Sequence, residues 1–254
     1  VDCPPARRFA GPTAWRRLLE ADVDLVILAT SPDARPAQAA AAVASGRHVF
    51  CEAPAAVDAA GVGTMLAACR AAAAAGLSFG SGLAWRHDPV TMRTIGQVRW
   101  GGIGRPLFGV AHSRLGPAWR KPIPRGRPAA EAAALNWIAD GGRSGGDLVE
   151  HQVHAIDKML WAFGDEPPLA AEPVAASREP GLAAVRYLLA DGCVVEAAVD
   201  RRPGGPDRVE ELVRGTGGGC DLRAGTSGAG RHRLGMEAFV RAVRQGRPLA
   251  EGQA

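Results

Sequence analysis

The sequence predicts an α/β protein in which a parallel-sheet domain is followed by an α+β domain with a largely antiparallel sheet. Between residues 23 and 82, apolar runs of strand length alternate with helix-forming segments, and such alternation places the strands in parallel. From residue 185 on, the strand-like segments are joined by short turns with Gly and Pro, as in antiparallel pairing. The chain of 254 residues is long enough for two domains. We place them at residues 1–87 and 88–254.

The predicted elements of the first domain follow in order. TAWRRLLEAD is predicted as a helix, and VDLVILAT, from residue 23, is an uninterrupted apolar run typical of a strand buried on both faces. PAQAAAAVASG has Pro36 suited to a first helical turn and Gly46 as a stop. HVFC and LSFGSG are the next two strands, separated by a helix that opens at Asp58 and closes at Gly76.

The pattern changes after Arg86. TMRTIGQVRW is predicted as a helix and PLFGVAHSRL as a strand, followed by a Pro- and Arg-rich loop over residues 116–135. A helix is predicted at residues 147–163, then three strands and a last helix: VRYLLA, DGCVVEAAVD, DRVEELVRGT and HRLGMEAFVRAVRQG. The Gly-rich segments GGIG and GTGGGC are predicted to be turns.

Composition excludes several classes of protein. The net charge of +4 comes from 28 Arg and two Lys spread along the chain, without the clustering that marks a nucleic-acid site. No run approaches the roughly 20 apolar residues needed to span a bilayer. The five cysteines have no CxxC spacing, which indicates neither a zinc site nor a disulfide framework and favours a reducing compartment, the cytoplasm.

The helix GGDLVEHQVHAIDKMLWAFG carries the strongest chemical signal. Glu150, His154, Asp157 and Trp161 form one stripe beside an apolar stripe. The stripe presents a carboxylate, an imidazole and a second carboxylate in a row. This predicts His154 as a general base, oriented by Glu150 and Asp157.

Two other interpretations of this helix remain open. The same residues are also typical of a solvated face beside a core stripe, since such triples recur on exposed helices. His151 and His154 stand three residues apart with carboxylates nearby, as in metal sites. No second cluster supplies the remaining ligands that a catalytic zinc ion requires, so no metal is expected.

Four motifs in order make the chain resemble the glucose-fructose oxidoreductase and inositol dehydrogenase family, Gfo/Idh/MocA, across nearly its whole length. They are DLVILATSP, GRHVFCEAP where the family typically has GKHVFCEKP, GGIGRPLFG, and GGDLVEHQVHAID where members carry an acidic residue followed by HxxD. The resemblance implies a Rossmann-like domain that binds NAD or NADP, then an α/β domain, with a sugar- or polyol-like substrate between them.

The resemblance also implies roles for particular residues. Glu150, His154 and Asp157 would face the substrate and serve catalysis. The cofactor would be contacted by residues after the first two strands: Ala29, Thr30, Ser31, Pro32, Glu52, Ala53 and Pro54. Arg86, directly after the third strand, is a further candidate for contact with an anionic group of the cofactor or substrate, although an arginine at a domain junction is more often a structural hydrogen-bond donor. The resemblance further implies hydride transfer between the cofactor and a secondary alcohol carbon, and pairing of chains through the second-domain sheet.

Two departures from the family pattern shape the functional hypotheses. Ala53 stands where the family has a lysine that manages the hydroxyl proton. About 22 residues precede VDLVILAT, too few for a first strand, a GxGxxG turn and an acidic ribose-binding residue. We therefore expect an incomplete Rossmann-like domain. Either the chain is an N-terminally incomplete oxidoreductase, or it is a pseudoenzyme that binds a carbohydrate or a protein partner.

Overall fold

The computed structural model of the chain describes residues 3–118, 120–177, 181–201, 207–225 and 228–246. Its strands are β1 Leu25–Leu28, β2 His48–Cys51, β3 Phe79–Ser81, β4 Pro106–Leu115, β5 Ala170–Ser177, β6 Leu182–Leu188, β7 Val194–Arg201, β8 Arg208–Gly215 and β9 Gly218–Asp221. Its α-helices are α1 Ala14–Leu19, α2 Arg35–Ala44, α3 Ala59–Ala74, α4 Pro89–Arg99, α5 Ala129–Leu135, α6 Gly141–Ser144, α7 Gly146–Ala162 and α8 Gly228–Gln245. Short 3₁₀ helices occupy Pro5–Arg7, Ala84–His87, Trp137–Ala139 and Ala190–Gly192. None of the described helices combines the length and apolar character needed to span a bilayer.

The first sheet is parallel, with the strand order β1-β2-β3. Helices α2 and α3 connect its strands, as the alternation of runs predicts. Small residues of both helices, among them Ala39, Ala42 and Ala68, pack on Val26 and Val49. This Ala-rich contact lets the helices lie close to the sheet. It brings the loops after β1 and β2 to one edge, the edge where parallel sheets bind ligands.

The second sheet has six strands in the order β5-β6-β7-β4-β8-β9. Its pairs are antiparallel apart from β4 with β7, so the predicted fold class is confirmed. One face packs on α7 through Ala111, Val195 and Met159. The register row Leu212, Val110, Glu196 and Arg186 lies on the other face, with partly or fully exposed side chains.

Helix α7 starts at a tight corner. Gly145 has a φ of 77°, in the left-handed region that favours glycine. A Cβ at this position would lie 2.8 Å from the Cβ of Val149, so a side chain would push the first turn of α7 away. The corner therefore fixes where Glu150, in the next turn, stands relative to the first sheet.

Side chains from both halves of the chain contact each other. The rings of Phe50 in β2 and Phe239 in α8 pack edge to face, with centroids 5.3 Å apart. The guanidinium of Arg86 binds Asp157 of α7 and Asp165 just beyond that helix. The last helix thus contributes to packing around the first sheet, and the domain boundary at residues 87 and 88 stays a prediction.

Two strands, β5 and β9, and two short α-helices, α5 and α6, were not predicted from the sequence. Strand β5 contains Pro173, where the pairing register with β6 shifts, and Pro is tolerated there because β5 is an edge strand. The segment GTGGGC does turn after β8, but its later residues pair with β8 as β9. Helix α5 occupies the end of the predicted loop at residues 116–135.

Candidate active site

The candidate site lies where the N-terminal half of α7 approaches the loops that follow β1 and β2. The backbone N–H of Asp33 donates to the carbonyl of Arg143 over 3.3 Å, and the side chains of these two residues form an ion pair at 3.4 Å. Arg143 Nη2 also lies 3.5 Å from Ser31 Oγ. These contacts hold the loop after β1 against the α6–α7 corner.

The loop after β1 contains the four residues expected along the cofactor. Ala29 and Thr30 are exposed, whereas Ser31 and Pro32 are buried. Thr30 Oγ1 donates to Gln38 Oε1 of α2 over 2.6 Å. Ala29 and Thr30 are therefore open to a ligand at the sheet edge, with Thr30 also bonded to α2, while the buried Ser31 lies near Arg143.

The turn after β2 is held by an arginine that the sequence analysis did not single out. Arg35 Nη1 donates to the carbonyls of Glu52, at 3.0 Å, and of Pro54. The Ala53–Pro54 peptide bond is cis. The carboxylate of Glu52 lies against Gly82, where an added Cβ would come 2.2 Å from Glu52 Oε2. The predicted cofactor residues Glu52, Ala53 and Pro54 therefore share one tightly supported turn.

Glu150 is a half-buried carboxyl group on the face of α7 directed at this turn. Burial raises its pKa to about 7, and the nearby positive charge of Arg35 opposes the rise. Its Oε2 atom is buried and has no hydrogen-bond partner among the described residues. A carboxyl group that titrates near neutral pH is suited to donating and accepting protons.

His154 lies one turn further along α7. Burial, together with the nearby charges of His232, Lys158 and Arg231, lowers its pKa to about 4. Its imidazole is therefore neutral at pH 7. Nδ1 is buried, with no hydrogen-bond partner within the described parts of the chain.

Asp157 is placed differently from Glu150 and His154. Both of its oxygens accept hydrogen bonds from Arg86, at 2.7 to 3.1 Å, and Arg86 also binds both oxygens of Asp165. The same guanidinium lies 5.4 Å from the ring centroid of Trp161. The structure thus places Glu150 within the electrostatic influence of Arg35, which holds the turn at residues 52–54, and it engages Asp157 and Arg86 with each other.

Two further ionisable side chains of α7, those of His151 and Lys158, have their partners away from the turn after β2. His151 contacts Arg201 and lies 3.4 Å from Asp147. Lys158 forms a buried ion pair with Glu211 and donates to the carbonyl of Leu222 over 3.2 Å. Its ammonium also lies 4.1 Å from the ring centroid of Trp85. Lys158 is thus bound to the second sheet and does not take the place of the family's lysine at the β2 turn.

The open loop edge at the carboxyl ends of a parallel sheet is the place where α/β folds of this kind bind dinucleotides. Residues 8–80 match the model of the family described as GFO_IDH_MocA, oxidoreductase family, NAD-binding Rossmann fold. This match covers the first part of the chain, and it agrees with the resemblance to the Gfo/Idh/MocA oxidoreductases that the sequence motifs indicate.

One curated relative is the 1,5-anhydro-D-fructose reductase of Ensifer adhaerens. It is 28% identical over 162 residues, which make up 63% of this chain and 43% of the relative. The match therefore spans less than half the length of that relative.

Solved structures share the fold across the chain. GenD2 from gentamicin A biosynthesis, in complex with NAD, has a TM-score of 0.73 at 20% identity, covering 94% of this chain and 74% of its own. The myo-inositol 2-dehydrogenase of Lactobacillus plantarum has a TM-score of 0.71 at 19% identity, covering 94% and 76%. Levoglucosan dehydrogenase, with NADH and L-sorbose, has a TM-score of 0.74 at 17% identity, also covering 94% and 76%.

Proposed function

We propose that the protein is an NAD- or NADP-dependent oxidoreductase that acts on a sugar, a polyol or a related secondary alcohol. The observation that carries the proposal is a pair of unsatisfied polar atoms, Glu150 Oε2 and His154 Nδ1, buried one helical turn apart. Buried polar groups normally find partners, because leaving one unpaired costs about 1 to 3 kcal/mol. A hydroxylated substrate would satisfy both.

The residues present fit a nicotinamide cofactor at the carboxyl ends of β1 and β2. We propose that residues 29–32 and 52–54 hold it, because both segments lie at the open edge of the parallel sheet and the second is fixed by Arg35. When bound, the cofactor would supply the group that accepts or donates a hydride. Arg86 is bound to two aspartates, and we propose that this network stabilises the edge of the sheet.

The pKa values of Glu150 and His154 indicate different roles for the two residues. The pKa of Glu150, raised to about 7 by burial, is matched to proton exchange at neutral pH. The pKa of His154, lowered to about 4 by burial, keeps its imidazole neutral, so it orients the hydroxyl by hydrogen bonding. We therefore assign proton transfer to Glu150, orientation of the hydroxyl to His154, and a positioning role to Asp157.

A titration of the chain with NADH and NADPH tests cofactor binding, through energy transfer from tryptophan to the reduced nicotinamide. Saturable binding is expected, with a preference for one of the two nucleotides. Turnover is then measured with NAD or NADP and a panel of myo-inositol, levoglucosan and sorbose, and with NADPH and 1,5-anhydro-D-fructose. If the chain binds neither NADH nor NADPH, the proposed function is excluded for this chain.

Ala53 favours a second candidate, a carbohydrate- or partner-binding protein that retains the fold without the chemistry. The variant Ala53→Lys separates the two. A general acid or base contributes typically 10²- to 10⁴-fold to rate, so an oxidoreductase lacking its lysine is expected to gain activity. No gain in Ala53→Lys, together with no turnover by the natural chain, would favour the binding protein.

Two further features belong to the proposal. The five cysteines are free thiols, which is typical of a reducing compartment such as the cytoplasm. The face of the second sheet that does not contact α7 is the surface through which we expect two copies to pair.

A further inference from the structure

Helix α3 is apolar on all of its sides, yet one side is exposed in the described part of the chain. Its sequence, AAGVGTMLAACRAAAA, contains a single charged residue, Arg70. One stripe, which includes Met65 and Ala72, is buried in the core of the first sheet. Val62 and Leu66, by contrast, are 48% and 50% exposed. A helix that is apolar all round is normally covered on every side.

The exposed side of α3 forms one wall of a cavity of about 340 Å³. Val62, Leu66 and Arg70 line it and follow each other at intervals of four residues, so they share one face of the helix. Leu77 and Phe79 line it from the sheet, where they lead into the edge strand β3. Pockets that bind small molecules have volumes of about 300 to 1,000 Å³. The cavity therefore has room for a small molecule.

The lining of the cavity is mainly apolar. Apart from Arg70 and Ser81, the described side chains that line it are aliphatic, aromatic or thiol groups. Burial raises the pKa of the Cys51 thiol to about 12, and it also raises the pKa of Cys69. Both thiols are therefore neutral at pH 7 and behave as small apolar groups. This lining favours an aliphatic chain over a sugar, whose hydroxyl groups would lose their hydrogen bonds to water.

Arg70 is the one charged residue among the described residues that line the cavity. Its side chain is exposed, and it makes no hydrogen bond or ion pair with another described residue. A guanidinium binds a carboxylate through two parallel hydrogen bonds. The apolar cavity thus carries a cation that suits an anionic head group.

We propose that this cavity binds a medium-chain fatty acid, with the aliphatic chain between α3 and β3 and the carboxylate on Arg70. A single chain of about ten carbons suits a volume near the lower end of the range for small-molecule pockets. A second copy of the chain fits less well. In a symmetric contact through this face, two Arg70 side chains would share one interface, and the lining offers them no acidic partner. The inference does not depend on the proposed function.

Calorimetric titration of the full chain with decanoate and with decanol tests the inference. We expect one decanoate to bind per chain, more tightly than decanol. Arg70→Met should weaken decanoate binding about tenfold and leave decanol binding unchanged, because it removes the charge that holds the carboxylate. Leu66→Glu should weaken the binding of both compounds, because it places a charge in the apolar wall.

The matched control is Arg93→Met. Arg93 is also an exposed arginine on a helix, α4, but it does not line the cavity. Its replacement removes the same charge and should leave decanoate binding unchanged. Urea unfolding of each variant shows whether it is folded. If Arg70→Met does not fold, Leu66→Glu and the comparison of decanoate with decanol decide the question.

Four results would overturn the inference: no binding of decanoate by the natural chain, equal affinity for decanol, unchanged decanoate affinity in Arg70→Met, or an equal loss in Arg93→Met. Light scattering during the titration adds a fifth, since decanoate that binds only as a dimer dissociates would make a second copy the occupant. Failure of the proposed function is measured separately, as absent binding of NADH and NADPH whatever the decanoate data show.

Discussion

Lys158 shows how strongly a single buried charge depends on its partner. The residue is 1% exposed and its ammonium is bound to Glu211 and to the carbonyl of Leu222. Burial lowers its pKa, and the negative charge of Glu211 works against that change. The ion pair thus joins the C-terminal half of α7 to β8, one helical turn after His154.

Lys158→Met is expected to lower the free energy of unfolding by about 3 kcal/mol, because it leaves the Glu211 carboxylate buried without its cation. Urea unfolding followed by circular dichroism measures this. The double variant Lys158→Met, Glu211→Leu is the control, and it should recover most of the loss, since no buried charge remains. A double variant as unstable as the single one would show that packing of the lysine chain matters more than its charge.

At the residue scale, the sequence predicted part of the site. Glu150 and His154 were found because helical spacing alone puts them on one stripe of α7. Arg35 was missed because its hydrogen-bond partners are the backbone carbonyls of Glu52 and Pro54, which no side-chain pattern reveals. The local sequence shows only an arginine directly before Pro36, at the start of α2. Because most arginines are exposed, this pattern did not predict a buried side chain.

At the scale of elements, α7 carries two titrating groups whose effects on stability oppose each other. Burial lowers the pKa of His154 from 6.5 to about 4. Between these values the unfolded chain binds more protons, so stability rises with pH. Burial raises the pKa of Glu150 from 4.5 to about 7. Between those values the folded chain binds more protons, so stability falls with pH.

Glu150→Gln is therefore expected to make the free energy of unfolding rise more steeply with pH between about 4.5 and 6.5 than in the natural chain, because the falling contribution is gone. His154→Asn should show the reverse, a decrease over the same range. Urea unfolding at a series of pH values measures both slopes. Equal slopes in all three proteins would show that neither group is shifted by its surroundings.

The first turns of two helices depend on capping aspartates with different burial. Asp88 is 0% exposed and accepts hydrogen bonds from the backbone of Val90 and Thr91 and from the Thr91 hydroxyl. Asp58 is exposed and accepts one, from Gly61 at 2.7 Å.

Asp88→Ala should cost about 2 kcal/mol of stability and Asp58→Ala about 1 kcal/mol, since the buried cap leaves more donors unpaired. Thermal and urea unfolding compare the two variants. Asp88→Asn, which keeps an acceptor oxygen, should retain most of the stability lost in Asp88→Ala. Equal costs at both positions would show that burial of the cap does not matter here.

At the scale of the whole molecule, the second sheet has one face packed on α7 and one without a helix among the described residues. In the row across that second face, the apolar side chains of Leu212 and Val110 are neighbours, and Glu196, beside Val110, pairs with Arg186 at 2.8 Å. Apolar residues with charged residues at their rim are typical of interfaces between proteins.

We expect the protein to form dimers at micromolar concentration, and Val110→Glu to convert them to monomers without unfolding the chain. The physical reason is that an unpaired carboxylate would be buried twice in a symmetric contact. Light scattering measures the mass, and circular dichroism reports folding. The control is Leu169→Glu, since Leu169 is exposed and precedes the edge strand β5. A monomer in the natural chain would contradict pairing through this face.

The sequence by itself determined the order of strands and helices, the parallel first sheet, the largely antiparallel second sheet and the helix that presents Glu150 and His154. These follow from local periodicity, capping residues and turn chemistry, all of which act over a few neighbouring residues. Only the tertiary structure decided that Arg35 holds the turn at Ala53, that Arg86 is bound to Asp157, and that Lys158 is bound to Glu211. The reason is that burial and charge pairing join residues far apart in the chain, and their energies depend on distances that no local pattern contains.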